Sequence, residues 1–173
     1  MSARVPWTER TFHFDFPAEL YRELLERLRG TPARVEDRLG SFPNEIRTRR
    51  DGDRWSIQEN VGHLLDTETL FSGRLDDYEA RVDVLRAADM QNAATWEARH
   101  NDKPIEAILS AFRQKRRALV ARLEQLEPER FSQSILHPRL NEPMRIVDMM
   151  LLQAEHDDYH LARISELGRR LGA

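Results

Sequence analysis

The stretch Gln153-Ala154-Glu155-His156-Asp157-Asp158-Tyr159-His160 decides how this chain is read. Two histidines four residues apart in a helix stand one above the other on a single face. The surrounding helix is expected over about Met144 to Leu171, carried by Ile146, Met149, Met150, Ile164 and Leu167. Continuing that apolar stripe through the middle makes Gln153, His156 and His160 the inward positions. Buried imidazoles need partners, and a shared metal ion suits two at once. The competing reading is a pair of half-exposed histidines on a solvated helix.

Working outward, Trp55-Ser56-Ile57-Gln58-Glu59 opens a second long helix. Ser56 and Glu59 form the S-x-x-E capping box, in which each side chain satisfies a free backbone N–H of the first turn. Ile57, Val61, Leu64, Leu65, Phe71 and Leu75 carry it to about Val84, and His63 lies beside their stripe. Further upstream, Pro17 suits a first turn with Asp15 as its cap. Leu20, Tyr21, Leu24, Leu25 and Leu28 continue that helix until Gly30 and Pro32 stop it; a short helix follows from Pro32 to about Leu39. Asp102 and Pro104 start another long helix through Ile105, Ile108, Leu109, Phe112, Leu119, Leu123 and Leu126, ended by Pro128.

The segment before Asp15 reads as a short strand or an arm lying on a helix, with Phe12, Phe14 and Phe16 alternating and His13 on the polar side. Residues 85–103 form a connection long enough to suggest a functional role. It holds Trp96, a short helical turn and His100, and a later loop holds His137. Nothing calls strongly for a sheet. The sum is an all-α chain, a helix bundle in a single domain over residues 1–173.

Composition narrows the chemistry. The 173 residues include no cysteine, so any metal must be held by histidine, carboxylate or amide oxygen. One third of the residues are charged, yet the net charge is only -3, which argues for interspersed surface charges and against a nucleic-acid partner. The runs Arg47-Thr48-Arg49-Arg50 and Lys115-Arg116-Arg117 read as solvated surface. The N-terminus lacks the apolar core of a signal peptide and no stretch approaches a membrane span, so a cytoplasmic protein without membrane contact is expected.

Two histidines fix an ion weakly, and in a bundle a third ligand comes from a facing helix. Apart from the pair, His63 is the only histidine on a long helix. Three neutral imidazoles leave coordination positions open, the mark of a catalytic rather than a structural site.

The segment Trp55-Ser56-Ile57-Gln58-Glu59-Asn60-Val61-Gly62-His63-Leu64-Leu65-Asp66-Thr67-Glu68, together with His156-Asp157-Asp158-Tyr159-His160-Leu161-Ala162-Arg163-Ile164, resembles the DinB/YfiT-like superfamily. The order of helices and the long connections extend the resemblance over nearly the whole chain. It implies a four-helix bundle with long crossover connections and a divalent-metal site of His63, His156 and His160. It also implies metal-dependent hydrolases, or metal-dependent transferases and isomerases that use low-molecular-weight thiols such as bacillithiol or mycothiol.

For the hydrolase, a metal-bound water needs a base. Glu59 and Asp66, flanking His63 on its own helix face, are the catalytic candidates, with ring orientation as their alternative role. Asp157 stands where an H-E-x-x-H metalloprotease needs glutamate, so a protease is disfavoured; Asp157 and Asp158 suit solvent or a ring-orienting contact. For the thiol reading, Arg74, Arg145 or Arg163 would line the entrance. Zinc or nickel is the expected ion, with iron, manganese or copper compatible. A small-molecule substrate is expected, and homodimerisation is an option through Trp7, Trp96 and the N-terminal phenylalanines. A third reading is a non-catalytic bundle whose structural ion is closed by Gln153 or Glu68.

Overall fold

The structure is a computed structural model and describes residues 5–172. Four long helices, α1 (Tyr21–Gly40), α2 (Ile57–Ala80), α4 (Ile105–Glu124) and α5 (Ile146–Leu171), form a bundle, and a five-residue helix α3 (Ala93–Glu97) lies between α2 and α4. Helix α1 packs on α4 and α5, and so does α2. The helices joined by the first and last long connections, α1 with α2 and α4 with α5, therefore stand at opposite corners. Both connections are crossovers, as expected.

Helix α2 starts where its capping box says it should. Ser56 Oγ accepts from the Glu59 backbone N–H at 3.1 Å, and the Glu59 carboxylate accepts from the Ser56 N–H at 2.8 Å. The helix ends at Ala80, four residues before the expected Val84, because Arg81 takes a left-handed conformation (φ 53°).

Helix α1 departs from expectation. Pro32 sits inside one continuous helix rather than separating two. Proline removes the N–H that would bond the Leu28 carbonyl. Here Arg116 Nη1 reaches across from α4 and donates to that oxygen at 2.9 Å. A tertiary partner replaces the missing helical one, so the helix is not broken.

Two short strands were also unexpected. β1 (Ser134–Leu136) pairs antiparallel with β2 (Pro143–Arg145), bringing Ile135 opposite Met144. The pair buries Ile135 and Met144 against the core, where their three-residue length leaves almost no alternation to read.

The N-terminal arm lies on the bundle as one of the two readings proposed. Phe12, Phe14 and Phe16 pack against the core while His13 is exposed. Arg145 clamps the arm, donating to the carbonyl oxygens of Phe14 and Phe16 at 2.8 and 3.0 Å while its guanidinium pairs with Asp148.

The apolar interior falls into two clusters along the bundle axis. Leu28, Phe71, Leu119 and Ala154 belong to one; Val35, Leu64, Phe112 and Ile164 belong to the other. Between them lies a buried polar layer to which every long helix contributes, with Thr31, Glu68, Arg116 and Asp157 at its centre. Arg116 pairs with Glu68 and Asp157, both at 2.6 Å, and Thr31 Oγ1 donates to Asp157 at 2.8 Å. This corrects two expectations. Arg116 is not solvated surface but 1% exposed, and Asp157 faces this network rather than solvent or a histidine ring. Asp158 instead pairs with Arg27 and Arg34 on α1, at the bundle surface. Two carboxylates share one guanidinium, and burial pushes the Glu68 carboxyl up despite the pull of Arg116.

Candidate metal centre

His63 on α2 and His156 and His160 on α5 come together, all buried, with one ring nitrogen from each lying within 4.8 Å of the others. The helical spacing does this directly. His156 and His160 share a face of α5, and α2 packs beside α5 with His63 on the facing side. The His63 and His156 Nε2 atoms approach to 3.1 Å.

The far side of two rings is anchored. Asn60 Oδ1, one turn before His63, lies 2.9 Å from His160 Nδ1. An amide oxygen only accepts, so Nδ1 carries the proton and Nε2 presents a lone pair. His63 Nδ1 lies 3.0 Å from Thr95 Oγ1, and that hydroxyl lies 2.9 Å from Asp66 Oδ2. The hydroxyl has one proton; given to the carboxylate, it leaves the oxygen to accept from His63 Nδ1–H. His63 Nε2 is then bare as well. The same Asp66 oxygen accepts from His100 Nε2 at 2.8 Å. Burial acts to raise the Asp66 carboxyl, but the donors from His100 and Thr95 outweigh it and hold the group below its usual range.

His100 reaches Asp66 because residue 62 is glycine. A Cβ on Gly62 would overlap the His100 ring. Of these residues the sequence points to Asp66, on the helix face of His63, and not to Thr95 or His100. Their one signal was the length of the connection that carries them.

These features fit a divalent ion. Burial lowers His63 to about 3, with His156 nearby adding to the effect, and lowers His156 to about 3, with Arg116 adding to it. Both rings are neutral at pH 7, as metal ligands must be. Zinc–nitrogen bonds of 2.0–2.1 Å place two nitrogens of a tetrahedral site about 3.3 Å apart, close to the observed 3.1 Å. Bare lone pairs at that separation repel unless a cation or a proton lies between them.

Most of the other candidates fall elsewhere. Glu59 holds the start of α2 and pairs with Arg50; burial acts to raise its carboxyl, and Arg50 and Ser56 bring it below the usual range. Glu68 and Gln153, the proposed closing ligands, are joined to each other at 3.1 Å, and Glu68 also binds Arg116. Arg145 clamps the arm, whereas Arg163 pairs with Asp51 and Glu166 and lines the same cleft as the three histidines.

A cleft of about 700 Å³ opens over the histidines. Trp7 and Trp55 stand at its metal end, with Trp7 5.1 Å from the His156 ring and Trp55 4.6 Å from the His63 ring. Leu70, Phe71, Met90 and Arg74 extend it along α2.

The DinB superfamily model matches residues 27–164. A search of curated proteins found no match. Among solved structures, YfiT from Bacillus subtilis, described as a probable metal-dependent hydrolase with an unusual four-helix bundle topology, superposes with a TM-score of 0.79 at 21% identity, covering 94% of each chain. The mycothiol-dependent maleylpyruvate isomerase superposes with a TM-score of 0.65 at 11% identity, over 86% of this chain and 60% of that one. The colibactin self-resistance protein ClbS, described in complex with dsDNA, has a TM-score of 0.66 at 14% identity, over 86% of this chain and 95% of that one. This last finding corrects the expectation of no nucleic-acid partner. A protein of this fold is found on DNA, and phosphate binding follows local patches, so a net charge of -3 does not exclude it. No helix among the described residues is long and apolar enough to cross a membrane. By the extent of the family match and the agreement of its four-helix topology, the chain belongs to the DinB superfamily.

Proposed function

We propose that the chain is a metal-dependent hydrolase whose ion is held by His63, His156 and His160. The observation that carries this reading is the convergence of three buried imidazoles, two of them braced from behind with their Nε2 lone pairs aimed inward. When bound, a divalent ion such as zinc or nickel acidifies a water molecule towards neutral pH and polarises a substrate oxygen.

The chain's own residues do the rest. Asn60 holds the proton on His160 Nδ1, and Asp66, through Thr95, holds it on His63 Nδ1. Both act as positioning residues, setting the tautomer and the ring plane. Trp7 and Trp55 wall the histidines from bulk water, and the apolar cleft beyond them seats the substrate.

One observation favours a second reading. Glu59 and Asp66, the carboxylates nearest His63 in sequence, are both committed, Glu59 to Arg50 and the helix cap and Asp66 to Thr95 and His100. A thiol that released its proton to solvent, as an ion held by the three histidines would favour, would need no protein base afterwards, so thiol transfer could use this arrangement without a further group.

Metal content of the untagged protein, wild type and His63→Ala, tests the shared core of both readings. A stoichiometric divalent ion lost in the variant is expected. Metal retained by His63→Ala, or none bound after zinc and nickel are added, overturns it. With the ion in place, turnover of esters or amides supports the hydrolase, and turnover only with a thiol and an electrophile supports transfer.

A further inference from the structure

Arg74 is a buried cation with no salt-bridge partner among the described residues. It lies on α2 at 4% exposure and lines the cleft. Its Nε donates to the Arg86 carbonyl oxygen at 3.2 Å, and among the described residues no carboxylate pairs with it. Asp77, the acid three residues on, attracts Arg74 at a distance but gives its hydrogen bonds to the side chain and backbone of Arg86. Asp89, which lines the same cleft, accepts from the backbone N–H groups of Gln91 and Ala93. Burial lowers Arg74 to about 10, so it keeps its charge at neutral pH. A buried guanidinium without a direct carboxylate partner is costly, and one that lines a cleft suits an anionic ligand.

His137 lines the cleft beside it and is 4% exposed. The Leu140 backbone N–H donates to its Nδ1 at 3.2 Å. The ring proton is therefore on Nε2, which leaves an N–H donor for the cleft. Burial, together with Arg74 and Arg139, lowers this ring to about 4, so it is a neutral donor at pH 7. Arg139, exposed, borders the same end. This end of the cleft thus offers two guanidinium groups and an imidazole N–H.

The register along α2 relates this end to the histidines. His63, Thr67, Leu70 and Arg74 recur at spacings of four, three and four, so they share one helix face, and all line the cleft. From His63 to Arg74 the helix axis advances about 16 Å. Leu70, Phe71 and Met90 make the stretch between them apolar.

We propose that the cleft takes a ligand bearing a terminal oxyanion, a carboxylate or phosphate, held by Arg74, His137 and Arg139, with an apolar body directed at the three histidines. The orientation rests on the metal-centre reading; the anion subsite does not.

All three tryptophans of the chain line this cleft, so their emission reports occupancy. The test titrates hexanoate, hexyl phosphate and neutral hexanol into the full chain after chelator treatment, which separates failure of this subsite from failure of the metal centre. Binding of hexanoate or hexyl phosphate at least about tenfold tighter than hexanol is expected, and the tighter of the two names the oxyanion. Arg74→Met should bring the anions to parity with hexanol, and Arg139→Gln should narrow the gap. Equal binding of hexanol and the anions, or a preference that survives Arg74→Met, overturns the proposal. Should Arg74→Met fail to fold, Arg139→Gln decides, because its site is exposed; an undiminished preference there overturns it. Displacement of hexanoate by a short DNA duplex but not by inorganic phosphate also overturns it, in favour of a nucleic-acid contact.

Discussion

Arg116 on α4 donates to the Leu28 carbonyl oxygen on α1, the carbonyl left without its helical partner by Pro32. The same guanidinium joins Glu68 on α2 and Asp157 on α5, so one side chain ties all four long helices at a single level. Removing only the cation leaves two buried carboxylates unpaired. Arg116→Leu is expected to cost about 3–5 kcal/mol. Replacing the three together, as Arg116→Leu with Glu68→Met and Asp157→Leu, should recover most of that loss. Urea midpoints of the two variants check the contrast; equal losses would mean that the proline-freed carbonyl, not the ion network, is what Arg116 serves.

The positioning of His63 through Thr95 and Asp66 makes a separate claim. Asp66→Asn and Thr95→Val keep the three histidines but loosen the His63 ring, and metal affinity should fall about 10–100-fold. Gly62→Ala should act in the same direction, because its Cβ displaces the His100 ring that holds Asp66. Competition of each variant against a chromogenic zinc chelator measures the change. Wild-type affinity in all three would detach this chain of bonds from the ion.

The sequence made the bundle legible wherever one residue type had one role. The Ser56–Glu59 box marked the start of α2 to the residue, because both halves of that motif are local. The i, i+4 histidines placed the centre of α5, because helical geometry alone puts them together. Misreadings came where a local signal was overruled from another helix. Pro32 breaks an isolated helix, and only the arrival of Arg116 restores it. Arg116 itself looked like surface because it stands between Lys115 and Arg117; its burial depends on carboxylates 48 and 41 residues away. Thr95 and His100 carried no pattern, since a loop residue acquires its role from what the fold sets beside it.

Acid should unfold the metal-free protein through its histidines. His63 and His156 are held near 3 and His137 near 4, each against an ordinary value of 6.5. In all three the folded state favours the neutral ring, so the unfolded chain binds protons first as pH falls. Their contribution to stability is fully present above pH 6.5 and is lost progressively below it. The urea midpoint should be flat from pH 8 to 6.5 and fall towards pH 4. His137→Phe should flatten that fall, and an unchanged slope would show that the ring is free to ionise in the folded protein.

Glu59 separates a structural from a chemical role most directly. Its carboxylate accepts from the Ser56 N–H at 2.8 Å and pairs with Arg50, while the Ser56 hydroxyl donates to Asn101 Oδ1 at 2.7 Å. This geometry ties the start of α2 to the connection that carries His100. Ser56→Ala should therefore cost about 1 kcal/mol. Glu59→Gln should likewise lower the melting temperature, with little effect on bound metal and a loss of turnover no larger than that of Ser56→Ala. A base would behave oppositely: Glu59→Gln would keep its stability and its metal while turnover fell by about 10²–10⁴-fold. Thermal melts, metal content and turnover on the same preparations distinguish the two, and the second pattern would move Glu59 from the helix cap into the reaction.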